Sequence, residues 1–407
     1  MTDADILDSR YSWTRLAISL VIAAVGSAGM WSIVLVMPGV QAEFGLERAD
    51  ASLPYTVFMI AFAFGNFVVG RVVDRFGVTS ALIGSAILIG GSMALVAVSP
   101  TATAVIALHA VIGLGTAVTF GPLMADVSLW FMRRLGIAVA VTASGNYVAG
   151  AFWPLVLTGV LASDGWRAVY MLLAILVPCL MIPLSLLLRR RVPDGALRHS
   201  DTLSGQRAGA SGISPRMLQY MLAVAGMGCC IAMAMPQVHI VSLCVDMGFG
   251  AVAGGQMLSL MLFGGVISRL FFGMVADRLG GVRTVLISAG LQCAALFLYL
   301  PAGGLVSLYT VSLVFGLSQG GIVPSYTLVV REYMPSREAG RRVGFVMMST
   351  VGGMAIGGWM SGWIYDMTGS YQAAFLNGIA FNFLNIAIMV TILLRTRKRK
   401  EPQAVAA

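Results

Sequence analysis

The sequence predicts an all-α integral membrane protein with twelve transmembrane helices in two pseudo-symmetric six-helix bundles. Three observations carry that prediction. Hydrophobic residues make up 58% of the chain and charged residues 11%, whereas a soluble domain has roughly half and a quarter. Apolar runs of about 20 residues recur along the whole length, enough for a helix to cross a hydrocarbon core about 30 Å thick. One short pattern occurs twice, as Gly70-Arg71-Val72-Val73-Asp74-Arg75-Phe76-Gly77 and Gly273-Met274-Val275-Ala276-Asp277-Arg278-Leu279-Gly280, with the copies 203 residues apart. The runs are continuous rather than alternating, which excludes a β-barrel.

Taken in order, residues 1–15 carry Asp3, Asp5 and Asp8 with no cleavage site and do not read as a signal peptide. Spans follow at roughly 16–40, 53–73, 79–98, 102–130, 135–162, 168–188, 217–245, 251–275, 282–300, 304–330, 343–365 and 373–394. The expected organisation is an N-terminal bundle 1–188, a cytoplasmic linker 189–216 rich in Gly, Ser and Arg, a C-terminal bundle 217–394 and a basic cytoplasmic tail 395–407.

Charge sets the orientation. When alternate loops and both termini are assigned to one side, that side holds all of the 26 Lys and Arg except Arg48, Arg167 and Arg269. The positive-inside rule then puts both termini in the cytoplasm, in a plasma membrane that would be the inner membrane of a bacterium. The net charge of +9 is accounted for by topology and contact with anionic lipid, with no need for nucleic acid. The five cysteines (Cys179, Cys229, Cys230, Cys244 and Cys293) lie in or at the ends of apolar runs without metal-ligand spacing and read as packing residues. No metal or cofactor is expected.

The halves repeat beyond the opening pair. Glu43-Phe44-Gly45 matches Asp246-Met247-Gly248, Arg133-Arg134-Leu135-Gly136 matches Arg341-Arg342-Val343-Gly344, and Gly165-Trp166-Arg167-Ala168 resembles Gly369-Ser370-Tyr371-Gln372-Ala373. Parallel repeats of this kind build transporters whose substrate site lies near the bilayer midplane.

The doubled G-x-x-x-D-R-x-G turn resembles the loop signature of the major facilitator superfamily, and the resemblance covers essentially the whole chain. Within it, the chain is similar to the monocarboxylate and oxalate–formate porter branch. The residues that carry this are Trp130-Phe131, Arg133-Arg134-Leu135-Gly136-Ile137-Ala138, Ser144-Gly145, Gly165-Trp166-Arg167, His239, and Arg269 with Gly273. The resemblance implies a secondary transporter working by alternating access, with a monomeric functional unit. It also implies that the turns (Gly70, Asp74, Arg75, Gly77; Gly273, Asp277, Arg278, Gly280) latch the cytoplasmic side. A turn that only ties helices together is the other reading, and Asp74 is placed to accept bonds from a neighbouring helix N-terminus.

Arg269 stands eight residues before Asp277, about 12 Å inside the cytoplasmic end of its helix. An arginine at such depth is a functional-site hypothesis by default, and its planar fork matches a carboxylate. The alternative is a structural arginine bonded to carbonyls. Porters of this branch use an arginine at this place. The chain departs from them elsewhere: Gly265 stands where animal members have an acid, Gly39 follows Pro38 in place of a lysine, and no lysine occurs between Val343 and Tyr365. One intramembrane cation suits a monoanion.

Further candidates are His239 for substrate or proton, and His109 and Asp126 for proton coupling. Against these stand a packed histidine satisfied by neighbouring helices, and an Asp126 paired with Arg133 or another loop arginine. Asn146, Tyr147 and Gln319 are polar candidates for the cavity, with helix packing as the alternative. At the first-half position matching Arg269 stands Asn66.

The leading expectation is proton-coupled transport of a small monocarboxylate that pairs with Arg269. Anion exchange, drug efflux, and a non-transporting sensor or scaffold on the same fold are the alternatives. A membrane enzyme would need a clustered set of reactive residues, and His109, His199 and His239 are scattered. No nucleotide-binding loop is present for an ATP-driven pump.

Overall fold

The computed structural model describes residues 7–46, 48–190, 192 and 213–398. Most of the expected linker, with His199, lies outside the described residues, as do Asp3, Asp5, the tail beyond residue 398, and the side chains of Pro38 and Arg48. Among the described residues there are helices and no strands. The helices are Arg10–Gly26, Ala28–Phe44, Arg48–Phe76, Val78–Ala97, Ala102–Thr116, Gly121–Ser128, Leu135–Leu186, Pro215–Asp246, Gly250–Leu279, Gly281–Tyr299, Leu305–Gln319, Ile322–Tyr333, Ala339–Thr368 and Tyr371–Lys398.

Among the described residues, 11 helical stretches are long and apolar enough to cross a membrane. The span expected at 135–162 falls in the first part of Leu135–Leu186, where the described apolar stretch Leu135–Gly150 is shorter. Gly165 divides that long helix with φ of 79°, a left-handed conformation that glycine adopts without a Cβ penalty.

Cα proximity groups the chain into two compact units. The first is Met1–Trp130, Val141–Val192 and Gly340–Met348; the second is Phe131–Ala140, Pro193–Ala339 and Ser349–Ala407. Each unit therefore takes in the first turns of a helix that continues in the other.

Within each unit the repeat extends to single contacts. Gly113 packs on the carbonyl oxygen of Phe58, and Gly316 packs in the same way on that of Met261. In both places a side chain would collide with backbone, so small residues let the helices meet. Ser85 Oγ donates to Gly115 O at 2.5 Å, and Ser288 Oγ donates to Ser318 O. Left-handed glycines recur as Gly45 with Gly248 and Gly77 with Gly280. All these pairs keep the interval of the opening motif.

One register differs from the sequence comparison. Gly136 faces Gly273, and the residue that faces Gly70 is Gly340, not Gly344. Gly344 lies one turn further along, against the Asn66 carbonyl. The doubled arginines pulled the alignment by a turn, whereas backbone contact fixes Gly340 as the counterpart of Gly136.

Candidate functional site

The fourth and tenth spans both break midway. Ala102–Thr116 passes through a short 3-10 turn, Ala117–Thr119, before Gly121–Ser128 begins. Leu305–Gln319 passes through Gly320 and Gly321 before Ile322–Tyr333. Each break packs on the preceding repeat helix, and here the units part company.

In the first unit Asn66 is fully buried and both ends of its amide are used. Its Nδ2 donates to Phe62 O at 2.8 Å, and its Oδ1 accepts from the backbone N–H of Gly121 at 3.0 Å. It therefore satisfies a donor at the start of the short helix. In the second unit Arg269 takes the place of Asn66, and Pro324 takes the place of Gly121. An arginine accepts nothing and a proline has no N–H to offer. Both partners of the first-unit bond are replaced together.

Arg269 is 4% exposed. A Cβ on Gly320 would meet the carbonyl oxygen of Gly265 at 2.5 Å and the backbone nitrogen of Arg269 at 2.9 Å, so the break is pressed against the arginine's own backbone. Gln319, the residue before it, is 1% exposed and its Oε1 accepts from Gln237 Nε2 at 2.9 Å.

His239 is half-buried. Its Nε2 lies 2.8 Å from Gly358 O and so donates to it. That leaves Nδ1 of the neutral ring as the acceptor facing the Tyr371 hydroxyl at 3.4 Å. Asn146 and Tyr147 belong to the first unit and are each 9% exposed. The Trp31 indole donates to Asn146 O at 2.9 Å and sits 3.3 Å from its Oδ1. This bond ties the Trp31 side chain to the helix that carries Asn146.

The other proton candidates have firm partners. His109 is fully buried; its Nδ1 faces Val105 O at 2.6 Å and its Nε2 faces the Tyr170 hydroxyl at 2.7 Å. The ring therefore donates to a carbonyl and accepts from a phenol, coupling two helices. Asp126 receives Arg15 Nε and Nη2 on one oxygen, at 3.2 and 2.8 Å. Arg15 also donates to Leu188 O at 2.9 Å and stacks over Trp130 at 4.6 Å. The partner is thus Arg15 at the start of the first span.

Both motif turns end in a helix cap. Asp277 accepts from the N–H groups of Gly136 and Ile137 at 2.5 and 3.2 Å, one per carboxylate oxygen. Asp74 accepts from Gly340 and Arg341 at 3.0 and 2.8 Å in the same manner. A carboxylate at a helix N-terminus meets both unsatisfied donors and the positive end of the dipole. Gly70 and Gly273 bring the backbones together, since a Cβ at either would strike carbonyl oxygen or helix backbone. A mixed-charge cavity of about 380 Å³ adjoins the Asp277 cap, lined by Arg133, Arg278, Glu332 and Tyr333 among others. It does not reach Arg269.

Sequence reasoning did not single out Arg15, Gln237, Glu43 or Glu332. Glu332 Oε1 accepts from Gly281 N at 2.8 Å, a third carboxylate cap. Glu43 accepts from the Trp166 indole at 2.7 Å and from Arg167 at 2.5 Å. Arg167 in turn donates to Ala97 O and Ser99 O, both at 2.9 Å. The Arg167 hydrogen bond holds the Glu43 carboxyl below the usual carboxylate range. The available signal was the Gly165-Trp166-Arg167 run facing an acid at the end of the first span. Among the described residues, no group of three His, Cys, Asp or Glu side chains is placed to hold a metal.

Comparison with known proteins agrees with this architecture. The Major Facilitator Superfamily model matches residues 19–341 and 220–407. Monocarboxylate transporter 13 of Bos taurus is 25% identical over 390 residues, covering 92% of this chain and 86% of the relative. An uncharacterized MFS-type transporter of Bacillus subtilis, YcxA, is 23% identical over 405 residues, covering 96% and 98%. Among solved structures, the Escherichia coli fucose:proton symporter FucP superposes with a TM-score of 0.71 at 12% identity, over 95% of this chain and 99% of that one. The proton:xylose symporter XylE gives 0.69 at 14% identity, over 95% and 94%. With twelve expected spans, a doubled turn motif and a family match along nearly its whole length, this multi-pass membrane protein belongs to the major facilitator superfamily.

Proposed function

We propose that the protein is a secondary transporter of a small monocarboxylate, that Arg269 pairs with the carboxylate, and that a proton travels with it. The observation that carries this reading is Arg269 itself, a permanent cation 4% exposed within a membrane helix. Burying an arginine at the centre of a spanning helix costs about 2.5–3.5 kcal/mol on insertion scales. In the first unit the same position is held by a neutral amide, Asn66, bonded to Phe62 O and Gly121 N; the second unit places a permanent cation there. The monocarboxylate transporters among the relatives support a carboxylate as the partner.

Proton coupling follows from charge. Carrying a bare anion into an inside-negative cell works against about 2.3 kcal/mol per 100 mV, and a co-transported proton removes that cost. His239 is the coupling group we favour, because its Nδ1 faces a hydroxyl that adapts to either protonation state. The Asp74 and Asp277 caps act as cytoplasmic latches that break and reform in alternating access. Both termini are cytoplasmic, the membrane is the plasma membrane, and the functional unit is a monomer.

The test is uptake of labelled lactate, pyruvate, acetate, formate and oxalate by proteoliposomes, with and without a pH gradient. Saturable uptake of a monocarboxylate that rises with an inward proton gradient is expected. Uptake indifferent to the gradient but dependent on internal anion would replace symport with exchange.

A further inference from the structure

Two buried polar atoms, on the helices that meet at the Gly320 contact, have no hydrogen-bond partner. One is Nε2 of Gln319, on a side chain 1% exposed; the other is Oγ of Ser268, on a residue 2% exposed. Gly320, the residue after Gln319, packs on the Ser268–Arg269 turn: a Cβ on it would lie 2.8 Å from Ser268 Cβ and 2.9 Å from Arg269 N. A buried donor without an acceptor loses its hydration with nothing in exchange. Two such groups beside a buried arginine therefore point to a third body that supplies acceptors there.

The Gln319 amide is engaged at its oxygen end. Its Oε1 is held by Gln237 Nε2 at 2.9 Å, which commits the oxygen to Gln237 and leaves the N–H₂ as the face presented elsewhere. Gln237 follows Pro236 inside its helix, where the proline removes one backbone N–H from the helical ladder. In the first unit the residue matching Gln319 is Thr116 and the residue matching Gln237 is Val34, so the amide pair belongs to the second unit alone. It accompanies the exchange of Asn66 for Arg269.

We propose that Gln319 donates a second hydrogen bond to the anion that Arg269 pairs, and that Gln237 is the positioning residue that turns the Gln319 amide toward it. This rests on the carboxylate reading of Arg269. One carboxylate then meets a guanidinium and an amide N–H₂ at the contact between two helices of the same unit. The amide adds direction without adding charge, so the site remains matched to a monoanion.

The experiment measures KM and kcat for whichever labelled monocarboxylate of the panel the wild type takes up, in proteoliposomes. The variants are Gln319→Leu, Gln319→Glu, Gln237→Leu, the double Gln237→Leu/Gln319→Leu, and Arg269→Ala. Gln319→Leu is expected to raise KM about tenfold with kcat little changed, in keeping with one lost hydrogen bond to a charged group. Gln237→Leu should do the same more weakly, and the double variant should match Gln319→Leu alone, because Gln237 acts through Gln319. Gln319→Glu should abolish anion uptake, since its carboxylate pairs Arg269 in place of the ligand. Thermal melting of each variant separates misfolding from weakened binding, and in a poorly folded case Gln319→Asn supplies the shorter amide. Wild-type KM in Gln319→Leu and Gln319→Glu, with uptake lost in Arg269→Ala, would overturn the amide's role while sparing the arginine's. Uptake unchanged in Arg269→Ala would overturn the parent reading instead.

Discussion

The two units share a set of contacts and part at the midspan break. Gly113 on Phe58 and Gly316 on Met261, Ser85 on Gly115 and Ser288 on Ser318, and Asp74 and Asp277 on helix N-termini are the same devices used twice. At the midspan break the first unit closes a bond from Gly121 N–H to Asn66. The second unit substitutes both ends of that bond and adds the Gln237–Gln319 pair. Contacts that recur hold the scaffold; the matched departures at Arg269 and Pro324 are where the units stop repeating.

The comparison is broken most severely by restoring the symmetry. Arg269→Asn with Pro324→Gly rebuilds the first-unit pair in the second unit. The expected result is carboxylate uptake at the level of empty liposomes, with melting at or above that of the wild type, because a buried charge is removed and a hydrogen bond gained. Retained uptake would show that the departure is not functional.

The converse substitution is Asn66→Leu, which strands the Gly121 N–H. A loss of about 1–3 kcal/mol is expected, seen as a lower melting temperature with substrate KM unchanged. An altered KM without loss of stability would move the first-unit break into the site.

A smaller effect is expected at the caps. Asp74→Asn and Asp277→Asn each leave one acceptor oxygen where two N–H groups bonded, and each removes a charge from a helix N-terminus worth about 0.3–1 kcal/mol. Amide hydrogen exchange should speed up at Gly340 and Arg341 in the first variant, and at Gly136 and Ile137 in the second. Equal changes would make the two caps equivalent, whereas a difference would show which one holds its helix N-terminus more firmly.

The smallest effect concerns the outer clasp. Glu43 has a folded pKa lowered chiefly by its Arg167 hydrogen bond. Its contribution to stability is therefore full above the ordinary carboxyl value of 4.5 and is lost as pH falls through the lower folded value. With the Glu43 side chain 40% exposed, the pair is worth no more than about 1 kcal/mol. The melting difference between wild type and Glu43→Gln should be small at neutral pH and vanish on acidification.

Much of the scaffold was legible in the sequence because bilayer thickness imposes run length and the duplicated turn imposes the repeat. Arg269 was legible as a position for the same reason, since a charge stands out within an apolar run, although a structural arginine bonded to carbonyls would stand out equally. Arg15 was not, because an arginine at the end of a span is indistinguishable from the topological charges around it until Asp126 is seen beneath it. Gln237 was hidden because an amide within a span gains meaning only from its partner 82 residues away. Asn66 was visible as a position, but its bond to Gly121 depends on where the fourth span breaks. Gly340 was misaligned by a turn because the doubled arginines are a stronger pattern than a lone glycine.

The central claim is that Arg269 binds the transported anion. Its most direct measurement is saturable uptake of a labelled monocarboxylate into proteoliposomes by wild type and Arg269→Ala, at matched protein density and confirmed folding. Loss of a charge-assisted pair of about 2–5 kcal/mol predicts that uptake falls at least about thirtyfold in Arg269→Ala. Uptake in the variant with the KM and rate of the wild type would contradict the account.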